Sequence, residues 1–444
     1  MPNQPQEEFF EITSAAELRD AWSSLSSEER HEFFDRLSRT EREDFFISLS
    51  AREQARMILE FPSHRRRIWL RLLPPDDSAD LIQEAPPEER ENLLALLDEF
   101  SRKEVRALLA YAEDEAGGLM NPRFARVRPN MTVDEAISYL RRQTRQHAET
   151  VQYVYVIGED QRLLGVLSFR ELFAATTGTL VRDIMNTNLV TADEKDDQEA
   201  VSRLFDENNL VAIPVIDDQG RMKGIVTLDD IVDVVQEEAT EDIQKYGGME
   251  ALDAPYLDIG FFSMIKKRAG WLTVLFIGES FTASALGRFE AEIASAVVLT
   301  LFIPLIISSG GNSGAQASTL VIRAMALGEV RLRDWFRVMK RELASGLFLG
   351  MVLALIGFAR IVLWEYWFQA YGSHYLPIAL TVAASLIGVV LFGTIFGSLL
   401  PLILRRVNLD PASASAPLVS TLVDVTGVII YFTLAALILS GTLL

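Results

Sequence analysis

Cysteine is absent from all 444 residues, and histidine occurs only four times. Without thiols there is no disulfide framework, thiolate zinc site, iron–sulfur cluster or cysteine nucleophile. The four histidines are scattered and no nucleophile, base and oxyanion group recur at a useful spacing, so the sequence offers no enzyme active site. Basic residues are also in deficit: 42 Lys and Arg stand against 62 Asp and Glu, a net charge of −20 with a pI near 4.8. Binding nucleic-acid phosphates needs clustered Lys and Arg to displace counterions, so nucleic acid is not expected as a partner and cations are. The opening Met1-Pro-Asn-Gln-Pro-Gln-Glu-Glu8 lacks the basic and apolar regions of a signal peptide. The acidic residues behind it are expected to stay on the side of the membrane where they are made.

The averages conceal a break near residue 266. From Lys266 onward 13 Lys and Arg face 9 Asp and Glu, leaving 29 against 53 in residues 1–265. An acidic soluble half therefore precedes an apolar, mildly basic one. The second half holds five apolar stretches, near 270–287, 293–322, 342–363, 376–404 and 412–443, each long enough as a helix to cross a hydrocarbon core of about 30 Å. Basic residues concentrate at Lys266-Lys267-Arg268, Arg331 to Arg341 and Arg405-Arg406, whereas Gly287–Glu292 and Trp364–Tyr375 hold only Arg288. The positive-inside rule then places the acidic half in the cytoplasm and, after five spans, the C-terminus outside. The expected location is the cell membrane (inner, or plasma, membrane), multi-pass.

Two spans are interrupted. Pro304-Leu-Ile-Ile-Ser-Ser-Gly-Gly-Asn312-Ser-Gly-Ala-Gln316 places Pro, three glycines and two amides in the second. Such backbone is tolerated at membrane depth where it packs closely or lines a watery path. The fifth runs from Asp410-Pro-Ala-Ser-Ala-Ser-Ala416-Pro417 through Ser420 and Thr421-Leu-Val-Asp424-Val-Thr-Gly427. Asp424 has no basic residue in its own span. A carboxylate there costs several kcal/mol, which reads as a pore ion site, with a structural hydrogen bond as the alternative. Glu279 in the first span raises the same question amid Gly278, Ser280 and Thr282.

The first hundred residues repeat with a period of 12. Ser26-x-x-Glu29, Ser38-x-x-Glu41 and Ser50-x-x-Glu53 have the form of capping boxes, and Pro62, Pro74 and Pro86 keep the phase. An apolar pair follows each start by seven residues, from Phe33-Phe34 to Leu93-Leu94. That register predicts helices of one to two turns stacked into a curved solenoid. Further on, Tyr153 to Phe173 is matched 59 residues later by Ala212 to Val232, and each copy ends in Gly-x-x-[Ser/Thr]-x-x-[Asp/Glu]. The helix N-terminus can receive a phosphate and the acid ribose hydroxyls; the same residues also make a plain capping box. The duplicate resembles a tandem CBS pair. A dense acidic run comes next, Asp229, Asp230, Asp233, Glu237, Glu238, Glu241 and Asp242. It reads as a solvated helix face or, through carboxylate repulsion relieved by a cation, as a metal-sensitive switch. Oxygen ligands without cysteine favour magnesium or calcium.

With these parts in this order, the sequence resembles the MgtE family of magnesium channels or transporters over nearly its whole length. The resemblance implies a multidomain membrane protein: an α-helical solenoid N-domain over 1–122, an α/β tandem CBS pair over 123–245, a connecting plug helix over 246–265 and a five-helix transmembrane domain over 266–444. It further implies a homodimer whose second and fifth spans line a pore in the lipid bilayer. Asp424 matches the family's pore aspartate, Asp410 its carboxylate at the cytoplasmic mouth, and Ala416, Ser420 and Asn312 complete the ion path. Asp197, Glu199, Asp230, Asp233, Glu238, Glu241 and Asp242 fall on acidic positions associated with regulatory Mg²⁺. Tyr153, Arg170, Glu171, Leu210, Thr227 and Asp230 fall on positions for ATP. Three residues depart from the pattern: Ala416 in place of an asparagine, Asn209 in place of an aspartate, and Leu210 in place of an aromatic ring. The implied activity is Mg²⁺ uptake gated by cytoplasmic Mg²⁺, with Mn²⁺ and Co²⁺ also suited to the ligands. The alternatives are a proton- or sodium-coupled divalent cation carrier using Glu279 and Asp424, and a membrane-anchored CBS nucleotide sensor that transports nothing.

Overall fold

The computed structural model describes residues 14–143, 152–440, 442 and 443; the Met1–Glu8 opening lies outside the described residues. The chain divides into two compact units, residues 1–236 and 237–444.

The first unit opens with eight short helices: α1 (Ala15–Ala21), α2 (Ser27–Arg36), α3 (Arg39–Ile47), α4 (Ala51–Glu60), α5 (Ser63–Leu70), α6 (Pro75–Glu84), α7 (Pro87–Leu96) and α8 (Glu99–Leu108). Ser26, Ser38 and Ser50 each cap a helix reciprocally with the glutamate three residues on. Pro74 and Pro86 precede prolines at the first helical turn, where the missing N–H would have no partner anyway. From α2 to α8 the helices have eight to ten residues, more than two turns each, so the expectation of one to two turns was too short. The apolar pair falls at the seventh and eighth helical positions, inside the nine- and ten-residue helices and at the end of α5. Alternate helices pack together, α4 on α6 and α6 on α8. The pairs enter one core, with Phe34, Phe45, Phe46, Ile58, Leu70, Leu81, Ile82 and Leu93 inaccessible to solvent.

The short α9 (Ala116–Leu119) leads into two three-stranded sheets. The first holds β1 (Arg126–Val127), β2 (Tyr153–Ile157) and β3 (Leu163–Ser168), with α10 (Val133–Gln143) after β1 and α11 (Phe169–Ala174) and α12 (Val181–Ile184) after β3. The second holds β4 (Ala192–Asp193), β5 (Ala212–Ile216) and β6 (Met222–Thr227), with α13 (Gln198–Asn208) after β4. Both have a parallel then an antiparallel pair. Tyr153 pairs with Ser168 and Ala212 with Thr227, and both ladders shift register near the same point, so the duplication extends to the register. The hairpins interlock: Leu163 N–H donates to the Gly220 carbonyl (3.1 Å) and Met222 N–H to that of Gln161 (3.0 Å). Gln161 and Gly220, equivalent turn positions, both have positive φ.

α14 (Leu228–Tyr246) follows β6 and carries the whole acidic run on one helix of 19 residues. This corrects the expected connecting helix over 246–265. Gly247 and Gly248 end α14, Gly248 at φ +74° and both N–H groups bonded back to its last turn. With Pro255 beyond them, residues 247–260 are not helical.

Five long apolar helices make up most of the second unit: α15 (Phe261–Arg288), α17 (Ile303–Ala326), α18 (Trp335–Phe368), α19 (Tyr375–Arg406) and α20 (Ala416–Leu439), with the short α16 (Glu290–Ser295) between the first two. All five are long and apolar enough to cross a membrane. α19 is the centre, packed against α17, α18 and α20, whereas α15 packs mainly on α20. At the α17–α19 crossing a Cβ on Gly393 would press into the Gly310 carbonyl, one on Gly397 into the Gly314 carbonyl, and one on Gly314 would stand 2.9 Å from the Gly393 oxygen. Only glycine allows this backbone approach. Gly397→Ala should therefore cost roughly 2 kcal/mol and lower the thermal unfolding midpoint in detergent. Gly287→Ala, whose Cβ meets nothing within 4 Å, should leave it unchanged or slightly raised; equal midpoints for the two variants would mean the crossing tolerates a methyl group.

Candidate ion site and acidic cluster

The membrane helices position the candidate pore residues from α20 and α17. Ser415 caps α20, accepting from Leu418 N–H (3.3 Å) and from Trp271 Nε1 (3.3 Å). Ala416 is the first helical residue, and Ser318 of α17 bonds the Ala414 carbonyl (2.9 Å). Ser420 lies directly against Gly311, whose missing side chain makes room for its hydroxyl, and Thr421 lies against Gly278 in the same way. One further turn along α20, Asp424 is half-buried, and the Glu279 side chain of α15 is within hydrogen-bonding reach of it. Spacing alone gave no reason to join these two acids; the fold brings them together.

Asn312 does not join them by a bond of its own. Its Nδ2 reaches Ser308 Oγ at 3.4 Å, and Ser308, Asn312 and Gln316, four residues apart, are all exposed on one face of α17. Gly310, Gly311 and Gly314 on the other side are buried. α17 thus presents a polar stripe outward and a glycine stripe inward, an arrangement that hydrocarbon does not favour.

Asp410 begins the turn before α20. Its Oδ1 accepts from Ala412 N–H (2.8 Å) and its Oδ2 from the Lys245 ammonium (2.7 Å), which also pairs with Glu241 one turn back on α14. Burial works against that ammonium, but the two carboxylates outweigh it and hold its pKa above the ordinary lysine range. Lys245 carries no motif that would single it out in the sequence.

A second gathering of acids lies in the first unit. The first turn of α6 supplies Asp76 and Asp77, and the start of α14 supplies Asp229, Asp230 and Asp233; Asp80 lies at the exposed edge within range of Asp76, Asp77, Asp230 and Glu113. Asp76 is 7% exposed and accepts one bond from Asn121 Nδ2 (3.2 Å). Burial first and the neighbouring carboxylates second raise Asp76 and Asp77 to about 6 and Asp230 to about 7. The α6 aspartates escaped the sequence reading because they occupy the repeat positions of Glu28 and Glu29, where acids merely favour a helix start. The same positions of α2 hold Glu28, Glu29 and Glu32, so nothing local sets Asp76, Asp77 and Asp80 apart.

Other predicted residues are more dispersed. Asp197 caps α13 by accepting from Glu199 N–H (2.9 Å), and Asp233, Glu238, Glu241 and Asp242 are strung along α14. Among the described residues, no three His, Asp or Glu side chains converge to hold a metal ion. The donors nevertheless suit Mg²⁺, which keeps most of its water and uses one or two carboxylates. Asn209 takes the left-handed C-terminal position of α13 at φ 52°, a place where asparagine is favoured. At the nucleotide positions, Ser168 and Glu171 form a full capping box, and Thr227 Oγ1 donates to Asp230 (2.7 Å). Tyr153 begins β2, Arg170 and Glu171 lie on α11, and Leu210 is half-buried against the core shared by the solenoid and the second sheet.

Known proteins match this chain along most of its length. The profile described as "Divalent cation transporter" matches residues 303–434, the "MgtE intracellular N domain" residues 13–114, and the CBS domain residues 112–178 and 181–237. The magnesium transporter MgtE of Thermus thermophilus is 42% identical over 82% of this chain and 80% of its own length. That of Bacillus subtilis is 32% identical over 81% and 77%. A solved structure of the cytosolic domain of the Mg²⁺ channel MgtE in complex with ATP aligns at 40% identity, with a TM-score of 0.47, over 50% of this chain and 91% of that one. The inosine-5'-monophosphate dehydrogenase of Halalkalibacterium halodurans is 33% identical over only 19% of this chain and 18% of the enzyme, a likeness of the CBS pair that brings no enzyme activity with it. With two soluble domains, five apolar helices and relatives aligned along most of its length, the chain belongs to the MgtE family of magnesium transporters.

Proposed function

We propose that this protein is a Mg²⁺-selective channel that admits magnesium across the cell membrane and closes as cytoplasmic Mg²⁺ rises. The observation that carries the reading is Asp424, half-buried in a membrane helix beside Glu279 and one turn from Ser420 on the glycine face of α17. Mg²⁺ sheds water reluctantly, so a pore selects it as a hydrated ion through carboxylates acting across water. The exposed polar stripe of α17 and the exposed Leu272, Phe276 and Phe281 of α15 support a homodimer in which a second copy completes the path. The N-terminus is then cytoplasmic and the C-terminus outside. The soluble part comprises a solenoid over 1–122 and a CBS pair over 123–245, with 266–444 in the membrane. Asp197, Glu199, Asp230, Asp233, Glu238, Glu241 and Asp242, together with Asp76 and Asp77, serve the regulatory ions; ATP at the CBS pair modulates them through Tyr153, Arg170, Glu171, Leu210, Thr227 and Asp230.

The neighbouring Glu279 and Asp424 favour one second reading, a carrier that exchanges protons or sodium for a divalent ion. In reconstituted vesicles, flux that follows the Mg²⁺ gradient alone supports the channel, and flux that requires a proton or sodium gradient supports the carrier. Asp424→Ala should reduce Mg²⁺ uptake into such vesicles by tenfold or more while the protein stays folded. Near-wild-type uptake would remove Asp424 from the pore.

The acidic cluster makes a pH prediction. Its folded carboxyls lie at about 6 to 7 against about 4 when unfolded, so the folded state binds more protons. The stabilisation is complete below about pH 4 and is lost as pH rises through 6 to 7. In Mg²⁺-free buffer the full-length protein should resist protease in residues 1–236 better at pH 5.5 than at pH 8. Added Mg²⁺ should narrow the difference, and Asp76→Asn/Asp77→Asn/Asp230→Asn should flatten it. A pH profile that survives the triple substitution would place its origin elsewhere.

A further inference from the structure

The end of α14 is held by a cation the protein supplies itself. Lys245 Nζ lies 2.7 Å from Asp410 Oδ2 and pairs with Glu241, and the three side chains keep only about a third of their surface exposed (29%, 35% and 36%). Glu241 is on α14, whereas Asp410 stands in the turn that leads into α20. The next residue extends the attachment: Tyr246 OH donates to the Ala315 carbonyl of α17 (2.8 Å) and meets Thr319 Oγ1. Gly248 then sits so close to Trp271 and Pro417 that a Cβ would stand 2.8 Å from the indole. A lysine ammonium thus spans two carboxylates from distant parts of the chain where α14 meets the segment feeding the fifth membrane helix.

Two carboxylates gathered on one ammonium repel each other unless a cation lies between them. One ammonium leaves the group with a net charge of −1, so a divalent ion would neutralise it better, but the same oxygens are already in use. We propose that Lys245 is a built-in competitor for divalent cations at Glu241 and Asp410, and that displacing it sets the Mg²⁺ concentration at which the end of α14 responds. The inference rests on the reading of the protein as a channel regulated by cytoplasmic Mg²⁺. Lys245 is in this sense a positioning residue: it holds a regulatory carboxylate, Glu241, against the one at the cytoplasmic mouth, Asp410.

Competition fixes the direction of the effect. In Lys245→Met the apolar stem remains, the charge is gone, and both carboxylates become available to Mg²⁺. The Mg²⁺ midpoint for protease protection of residues 247–260, measured on the full-length protein in detergent, should fall by tenfold or more. If Lys245 were only a structural clamp, the midpoint would rise or protection would be lost. A second measurement needs no substitution: acylation of the Lys245 amine in the wild-type protein, read by mass spectrometry, should increase as Mg²⁺ rises because the ammonium is released. Unchanged or reduced labelling, with Mg²⁺-dependent protection still present, would overturn the role of Lys245 and leave the channel reading standing. A wild-type protein whose protection does not respond to Mg²⁺ at all would overturn the regulatory reading itself.

Discussion

Where α17 crosses α19, backbone meets backbone, with Gly310 and Gly314 set against Gly393 and Gly397. That contact fixes which way α17 faces. With its glycines turned inward, the helix must carry Ser308, Asn312 and Gln316 outward, and Ser420 of α20 can settle onto Gly311. Asp424 comes one turn later. The position of the candidate ion site is therefore a consequence of small residues that bind nothing themselves. Packing in a membrane relies on close van der Waals approach rather than on hydrophobic burial, so the candidate ion site and the stability of the bundle draw on the same contact.

In the soluble unit the governing quantity is repulsion. Asp76 and Asp77 reach Asp230 because α6 and the start of α14 share one packed core, and the apolar contacts that hold the core together also force the acids near one another. Folding thereby keeps negative charge in a place where protons or cations relieve it. Asn121, nearly inaccessible and bonded to Asp76, satisfies one oxygen but contributes no charge. At the end of α14 the same difficulty is met differently, with Lys245 in place of a dissociable ion.

Features written in local periodicity were legible in advance. The serine–glutamate caps, the 59-residue duplication and the five apolar runs each depend on neighbours a few residues away, and each appears in the fold. Features set by distant packing were hidden. Asp76 and Asp77 look like ordinary first-turn acids until Asp230, more than 150 residues away, is placed beside them. Glu279 and Asp424 were each suspicious alone, but nothing in sequence spacing joins the first span to the fifth. The helix lies earlier than the resemblance implies for a local reason: the acidic run is itself a continuous helix, and Gly247-Gly248 stops it before residues 247–260.

The interlocked hairpins also bear on how such a chain could arise. Leu163 N–H and the Gln161 carbonyl find partners in the second copy, at Gly220 and Met222, rather than in their own. An ancestral chain with one copy would have left those groups to water, or satisfied them by pairing with an identical chain about a twofold axis. Duplication within one gene turns that encounter into an intramolecular one and removes its dependence on concentration. Once joined, the halves no longer need to be identical, so Gln161 and Gly220 can adopt one backbone shape with different side chains, and each half is free to acquire a separate task.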